Sequence, residues 1–163
     1  MKIIRKSAVI SKDKLYRYQL LRHWDRSNWK RVVFLMLNPS TADYKLDDPT
    51  IKSCCAIANN NGYGGILVVN LFAFRATKPR NLFKAEDPVG LDNNKWIVET
   101  CKMSDKIICG WGNKAPPHRV NKVLGLINYE DLYCIQENSS GSPKHPLYCK
   151  RDSIFKPWDD IPF

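Results

Sequence analysis

The sequence predicts an α/β fold, a three-layer α/β/α arrangement around a central four-stranded parallel sheet. Three observations predict it. Four short apolar runs recur, at residues 32–37, 66–69, 107–109 and 132–135. Such unbroken runs suit strands buried on both faces. Helix-like segments separate the runs, and strand–helix–strand alternation gives parallel pairing with right-handed crossovers. Each run also stops at a polar or potentially catalytic segment. The first stops at Asn38, the second at Asn70, the third at Trp111-Gly112-Asn113, and the fourth leads to His145. If the runs are parallel strands, those segments lie along one edge, where open α/β sheets bind ligands.

In chain order, residues 16–24 are aromatic and partly alternating, which reads as an edge strand. Residues 25–30 form a polar turn, and 31–37 a buried strand. The loop after Asn38-Pro39 runs to Asp48, a good N-cap with Pro49 at the first helical position. A helix is expected over 50–60, ended by Gly62-Tyr63-Gly64-Gly65 at the start of the second core strand. Residues 71–87 read as irregular. Residues 90–101 are helical, with Trp96, Ile97 and Cys101 near one face. The third core strand spans 106–110. Pro116-Pro117 opens a helix to about residue 127. Residues 128–131 turn into the fourth core strand, and the chain is loop from Asn138 onward. Strand order is not legible. The 163 residues suit one domain, 1–163.

The chain carries 26 Lys and Arg against 16 acids, a formal charge of +10. That excess favours a polyanionic partner. The basic residues are dispersed, so any basic patch is assembled by the fold. Six cysteines occur without a C-x-x-C pair, so no metal is expected. No cofactor is expected either. The N-terminus lacks the apolar region of a signal peptide, and no apolar stretch approaches the ~20 residues of a spanning helix. The expected setting is a reducing cytoplasm, with no membrane partner.

Candidate site residues follow from the strand ends. Pro39 stops sheet pairing, leaving the Asn38 amide to project as donor and acceptor. Ser40, Thr41 and Asp43 enrich the next loop in polar groups. Asn70, after four apolar residues, must be satisfied if buried, by a bound base edge or by its own loop. Gly110 and Gly112 permit close backbone approach beside Trp111 and Asn113. His145, in a Gly- and Pro-rich loop before Pro146 and Leu147, can donate a hydrogen bond or shuttle a proton near neutrality.

These motifs, in this order, resemble those of the uracil-DNA glycosylase superfamily: Asn38-Pro39, Asn70, Trp111-Gly112 and His145-Pro146. More closely, residues 36–43, 70–75 and 145–148 resemble the DUF1643 family, some of whose members are viewed as pseudo-uracil-DNA glycosylases. The resemblance implies the superfamily's fold, a base-binding cleft and a nucleic-acid-related role. It implies that Asn38 places water, Asn70 reads the base edge and His145 stabilises the departing base. Phe72, Phe74 or Trp111 would stack on a flipped nucleotide. DNA is the implied partner, with an acidic DNA-mimic inhibitor protein as a second. Uracil enzymes often carry a carboxylate where Asn38 stands, and an amide cannot accept water's proton. Losing a general base typically costs about 10²–10⁴ in rate. The tyrosine that screens the thymine methyl is replaced by Ser40 and Thr41, and Leu147-Tyr148 replaces the Ser-Pro of the last motif. Ordinary uracil excision is therefore not expected. The leading expectation is a pseudo-enzyme that binds DNA or an inhibitor protein. The alternatives are an active glycosylase on a modified base and, without a Gly-rich phosphate loop, less favoured, a nucleotide- or nucleoside-processing enzyme.

Overall fold

The computed structural model describes residues 1–127 and 132–158. Its strands are β1 (Arg5–Ile10), β2 (Arg17–His23), β3 (Arg31–Met36), β4 (Gly65–Asn70), β5 (Ile107–Cys109), β6 (Leu132–Cys134) and β7 (Lys156–Pro157). Its helices are α1 (Pro49–Asn60), α2 (Pro79–Leu82), α3 (Asn93–Cys101) and α4 (Pro117–Leu124), with a 3-10 turn at Pro146–Tyr148. The seven strands form one sheet, in the order β1-β2-β4-β3-β5-β6-β7.

The expected four-stranded parallel sheet is thus corrected to a larger, mixed one. Strands β4, β3, β5 and β6 are contiguous and parallel. Strands β1 and β2 add antiparallel pairing on one side, and β7 adds it on the other. The reading of residues 16–24 as an edge is also corrected, because β2 lies between β1 and β4. The charged start of β1, Arg5-Lys6, hid it as a strand, yet charge suits a true edge exposed to solvent. At the opposite edge Pro157 removes a ladder donor, which also limits further pairing. The expected turn at 128–131 lies outside the described residues.

Side-chain alternation along the central strands builds two cores. Val33 and Leu35 of β3, Leu67 and Val69 of β4, and Ile107 and Cys109 of β5 pack with α3 and α4 through Ile97, Cys101, Val120 and Val123. Val32 and Phe34, Ile66 and Val68, and Ile108 face the other way onto α1 through Ile51, Cys54, Ile57 and Ala58. The chain therefore has helices on both faces of the sheet. Asp48 caps α1 by accepting from Ile51 N at 2.9 Å, with Pro49 at the first turn, as its sequence requires.

The connection through α1 carries the chain from β3 to β4 on one side. The connection through α3 carries it back past β3 to β5 on the other, with its helix on the opposite face. The sheet order therefore switches between β3 and β5, where a crevice opens beyond the strand ends.

Buried Arg22 holds the antiparallel extension to the loop after β3. It donates from Nη1 to Leu21 O (2.8 Å) and from Nη2 to Leu46 O (3.0 Å), and it pairs with Asp47. Lys6 reaches the same carboxylate at 2.8 Å. Burial works against ionisation of Asp47, but the hydrogen bonds from Lys6 and Arg22 outweigh it and hold the carboxyl below its usual range.

Candidate functional site

A cavity of about 730 Å³ occupies the switch point. Its size lies within the range of about 300–1,000 Å³ typical of small-molecule sites. Met36, Leu37 and Asn38 line it from the end of β3, and Trp111, Gly112 and Asn113 from the end of β5. His145 and Leu147 enter from the loop after β6, and Ser40 and Thr41 from the loop after β3. The ends of the neighbouring strands β3 and β5 and the loop after β6 therefore supply one wall.

Asn38 is oriented by its backbone neighbours. Its Nδ2 donates to Ala76 O (2.7 Å) and Pro39 O (2.9 Å), so both amide hydrogens are committed. Only the carbonyl oxygen is left for a ligand, and it accepts but never donates. His145 has the complementary polarity. Its Nδ1 accepts from Leu147 N at 3.3 Å, which places the proton of the neutral ring on Nε2. Burial pushes the imidazole below its ordinary pKa, opposed by the field of Asp48. The ring is thus held as a neutral donor.

The His145 loop sits directly on the end of β5. A Cβ built at Gly110 would lie 2.9 Å from Pro146 Cδ, closer than side chains approach. Gly112 adopts φ +73°, and its N–H donates to Pro143 O at 2.9 Å. The side chain of Asn113 accepts from Ser140 Oγ (2.8 Å) and from Ser142 Oγ, closing the same contact. Trp111 is buried in the core and meets Trp158 edge-on at 5.2 Å.

Several expected residues stand elsewhere. Asn70 is buried behind the cavity wall; its Oδ1 accepts from Arg17 Nη2 at 3.3 Å. Its turn is tied down by Asn93, which donates to Asn70 O (3.0 Å), and by Arg119, which donates to Leu71 O (2.7 Å). Phe72 packs in the core, edge-on to Phe83 at 5.8 Å, away from the cavity lining. Phe74 lines a neighbouring groove of about 660 Å³ with Ser40, Thr41, Arg75 and Lys84. Asp43 fastens its own loop by accepting from Lys45 N (2.7 Å) and Leu46 N (2.8 Å), which lower its pKa. Pro39 and Pro146 are likewise outside the lining and shape the backbone beside it.

The structure adds residues that sequence reasoning passed over. Arg17, at the start of β2, lines the cavity while only 2% exposed. Burial pushes its guanidinium down to about 10, opposed first by the field of Asp48. Its signal was an arginine between Tyr16 and Tyr18 in a strand that buries both faces. Asp48, recognised only as a helix cap, also lines the cavity, with Lys114, Lys144 and exposed Tyr148.

A model of the family described as "Protein of unknown function (DUF1643)" matches residues 17–147. The chain belongs to the DUF1643 family. No curated protein and no solved structure matches the chain. The span matched to DUF1643 begins at Arg17 and ends at Leu147, so it contains every lining residue named above except Tyr148. Among the described residues no helix is long and apolar enough to cross a membrane. Likewise, no cluster of His, Cys, Asp and Glu among them could hold a metal ion. All six cysteines of this DUF1643 chain are buried free thiols. Burial raises Cys101 to about 12 and Cys134 to about 11, which makes them poor nucleophiles.

Proposed function

We propose that this chain is a nucleic-acid-related, base-binding protein of the uracil-DNA glycosylase type, and that it is not an ordinary uracil-DNA glycosylase. One observation carries the reading. Asn38 from the end of β3, Trp111 from the end of β5 and His145 from the loop after β6 line a single cavity at the sheet's switch point. That gathering suits gripping a base taken out of its stack, although Asn70, which the resemblance makes the base reader, lies behind the wall. The +10 charge supports DNA as the partner, or an acidic protein that mimics it.

The polarity of the wall supports weak or absent excision of uracil. The Asn38 carbonyl oxygen can position a water but cannot take its proton. His145 can donate to the oxygen of a departing base, an interaction worth about 10²–10³ in rate where such donors have been removed. A second reading, an active glycosylase on a modified base, is favoured by Asp48. This carboxylate lies in the same cavity on a different element and could serve as the missing base.

The test is an excision screen over uracil and modified-base oligonucleotides, beside a DNA-binding titration, with wild type, Asn38→Asp, Asp48→Asn and His145→Ala. The expected outcome is DNA binding by wild type without uracil release, and measurable release by Asn38→Asp. Release of a modified base by wild type that Asp48→Asn and His145→Ala each abolish selects the second reading. Absence of both DNA binding and base release discards the proposal.

A further inference from the structure

Two arginines of β2 are fully buried, and the fold treats them differently. Arg22 meets the carboxylate of Asp47 and the carbonyls of Ser7, Leu21, Asp43 and Leu46. Arg17 meets two neutral acceptors, Ala42 O from Nη1 (3.0 Å) and Asn70 Oδ1 from Nη2 (3.3 Å). Its Nε is buried with no hydrogen-bond partner. Among the described residues no carboxylate lies within ion-pair distance of it. A guanidinium has five N–H donors, so three remain to be satisfied. A buried cation without a counter-charge is costly, and such groups concentrate where a ligand supplies the missing partner. Arg22 lines neither of the two cavities described above; Arg17 lines the larger.

The rest of the wall has the same sign. Lys114 and Lys144 also line the cavity, against the single acid Asp48. Asp48 is already engaged in accepting from Ile51 N. His145 offers an N–H donor from the opposite loop.

We infer that Arg17 is an anion anchor, and that the cavity's ligand places a phosphate group on its guanidinium. The planar fork matches phosphate oxygens, and Ala42 O and Asn70 Oδ1 hold it in place before the ligand arrives. In this arrangement Asn70 orients the arginine and does not itself read the ligand. The cavity is far larger than one phosphate, so the ligand is a phosphorylated organic molecule. Resting on the base-binding reading, that molecule is a nucleotide, with its base toward Trp111 and Tyr148. The phosphate comes either from a free mononucleotide or from the phosphorylated end of a strand.

The test compares binding of uridine and guanosine 5′-monophosphates, the corresponding nucleosides and inorganic phosphate, at constant ionic strength. Calorimetry on the full chain reads wild type, Arg17→Lys and Arg17→Gln. Wild type is expected to bind a monophosphate at least about tenfold more tightly than its nucleoside, the scale of one charge-assisted hydrogen-bonded group. Arg17→Lys is expected to erase most of that preference, lowering monophosphate affinity far more than nucleoside affinity. If the variants do not fold, the preference in wild type decides, together with thermal stabilisation by inorganic phosphate over chloride. Equal binding of nucleotide and nucleoside overturns the anchor while leaving base binding intact. Binding of inorganic phosphate through Arg17, with no gain from any base, supports the anchor and removes the base-binding reading. A 5′-phosphorylated oligonucleotide that outbinds its unphosphorylated twin assigns the phosphate to a strand end; preference for mononucleotides assigns it to a free nucleotide. Binding of acetate in preference to phosphate overturns the assignment.

Discussion

At Asn38 the chemistry turns on which end of the amide faces the cavity. Pro39 O and Ala76 O take both hydrogens, so the residue is an acceptor there, opposite the donors Arg17 and His145. A residue-scale prediction concerns His23 instead. It is fully buried and stacks on Trp29 at 4.4 Å. Burial holds its pKa below the ordinary value of 6.5, so the unfolded chain takes up the proton first. Stability is therefore full above about pH 6.5 and falls as the pH drops below it through the folded value. His145 shifts in the same direction and adds to the loss. Urea unfolding of wild type at pH 7.5 and 5.5 is expected to show the lower midpoint at 5.5. His23→Phe, which keeps an aromatic ring against Trp29, is expected to lose less on acidification. An identical loss in the variant rules His23 out as a source.

Among elements, the end of β5 and the loop after β6 behave as one unit, because Gly110 admits Pro146. Gly110→Ala forces the two apart and is expected to cost roughly 1–3 kcal/mol, as overpacking does. It also moves His145, so ligand affinity is expected to fall with stability. Gly125, at the end of α4, is the control. Its φ is −66°, and a Cβ there first meets Asn121 O at 3.4 Å. Gly125→Ala is expected to be neutral or to stabilise by about 0.4–1 kcal/mol. Melting temperatures of the two variants, read beside ligand binding, check both expectations. The core strands and helices were legible at this scale because apolar runs and caps are local signals. Strand β1 was not legible, because Arg5-Lys6 breaks its pattern and only pairing with β2 makes it a strand. The reading of residues 16–24 as an edge failed for the same reason.

For the whole molecule, the net charge of +10 is scattered in sequence, and folding gathers Arg17, Lys114 and Lys144 around one cavity. If the partner is DNA, counterion release makes its binding salt-dependent. DNA affinity is expected to drop at least about tenfold between roughly 50 and 200 mM salt, measured by fluorescence anisotropy. A flat profile removes DNA as the partner. The doubly wound order also explains why Asn38 and His145 converge: the sheet switches direction between β3 and β5, and a crevice opens there.

The amino-acid order alone determined the α/β class, the central strands, the capped helix after Asp48, and the placing of Asn38 and Trp111 at strand ends with His145 in the loop beyond the last core strand. Those rest on short-range periodicity and turn chemistry, which act between neighbours in the chain. Tertiary structure decided that Asn70 lies behind the wall and that Arg17 takes its place at the surface of the cavity. It decided, too, that Asp48 caps a helix and lines the cavity at once. Those outcomes depend on which strands lie side by side, and the antiparallel pairing of β2 with β4 has no local trace in the sequence.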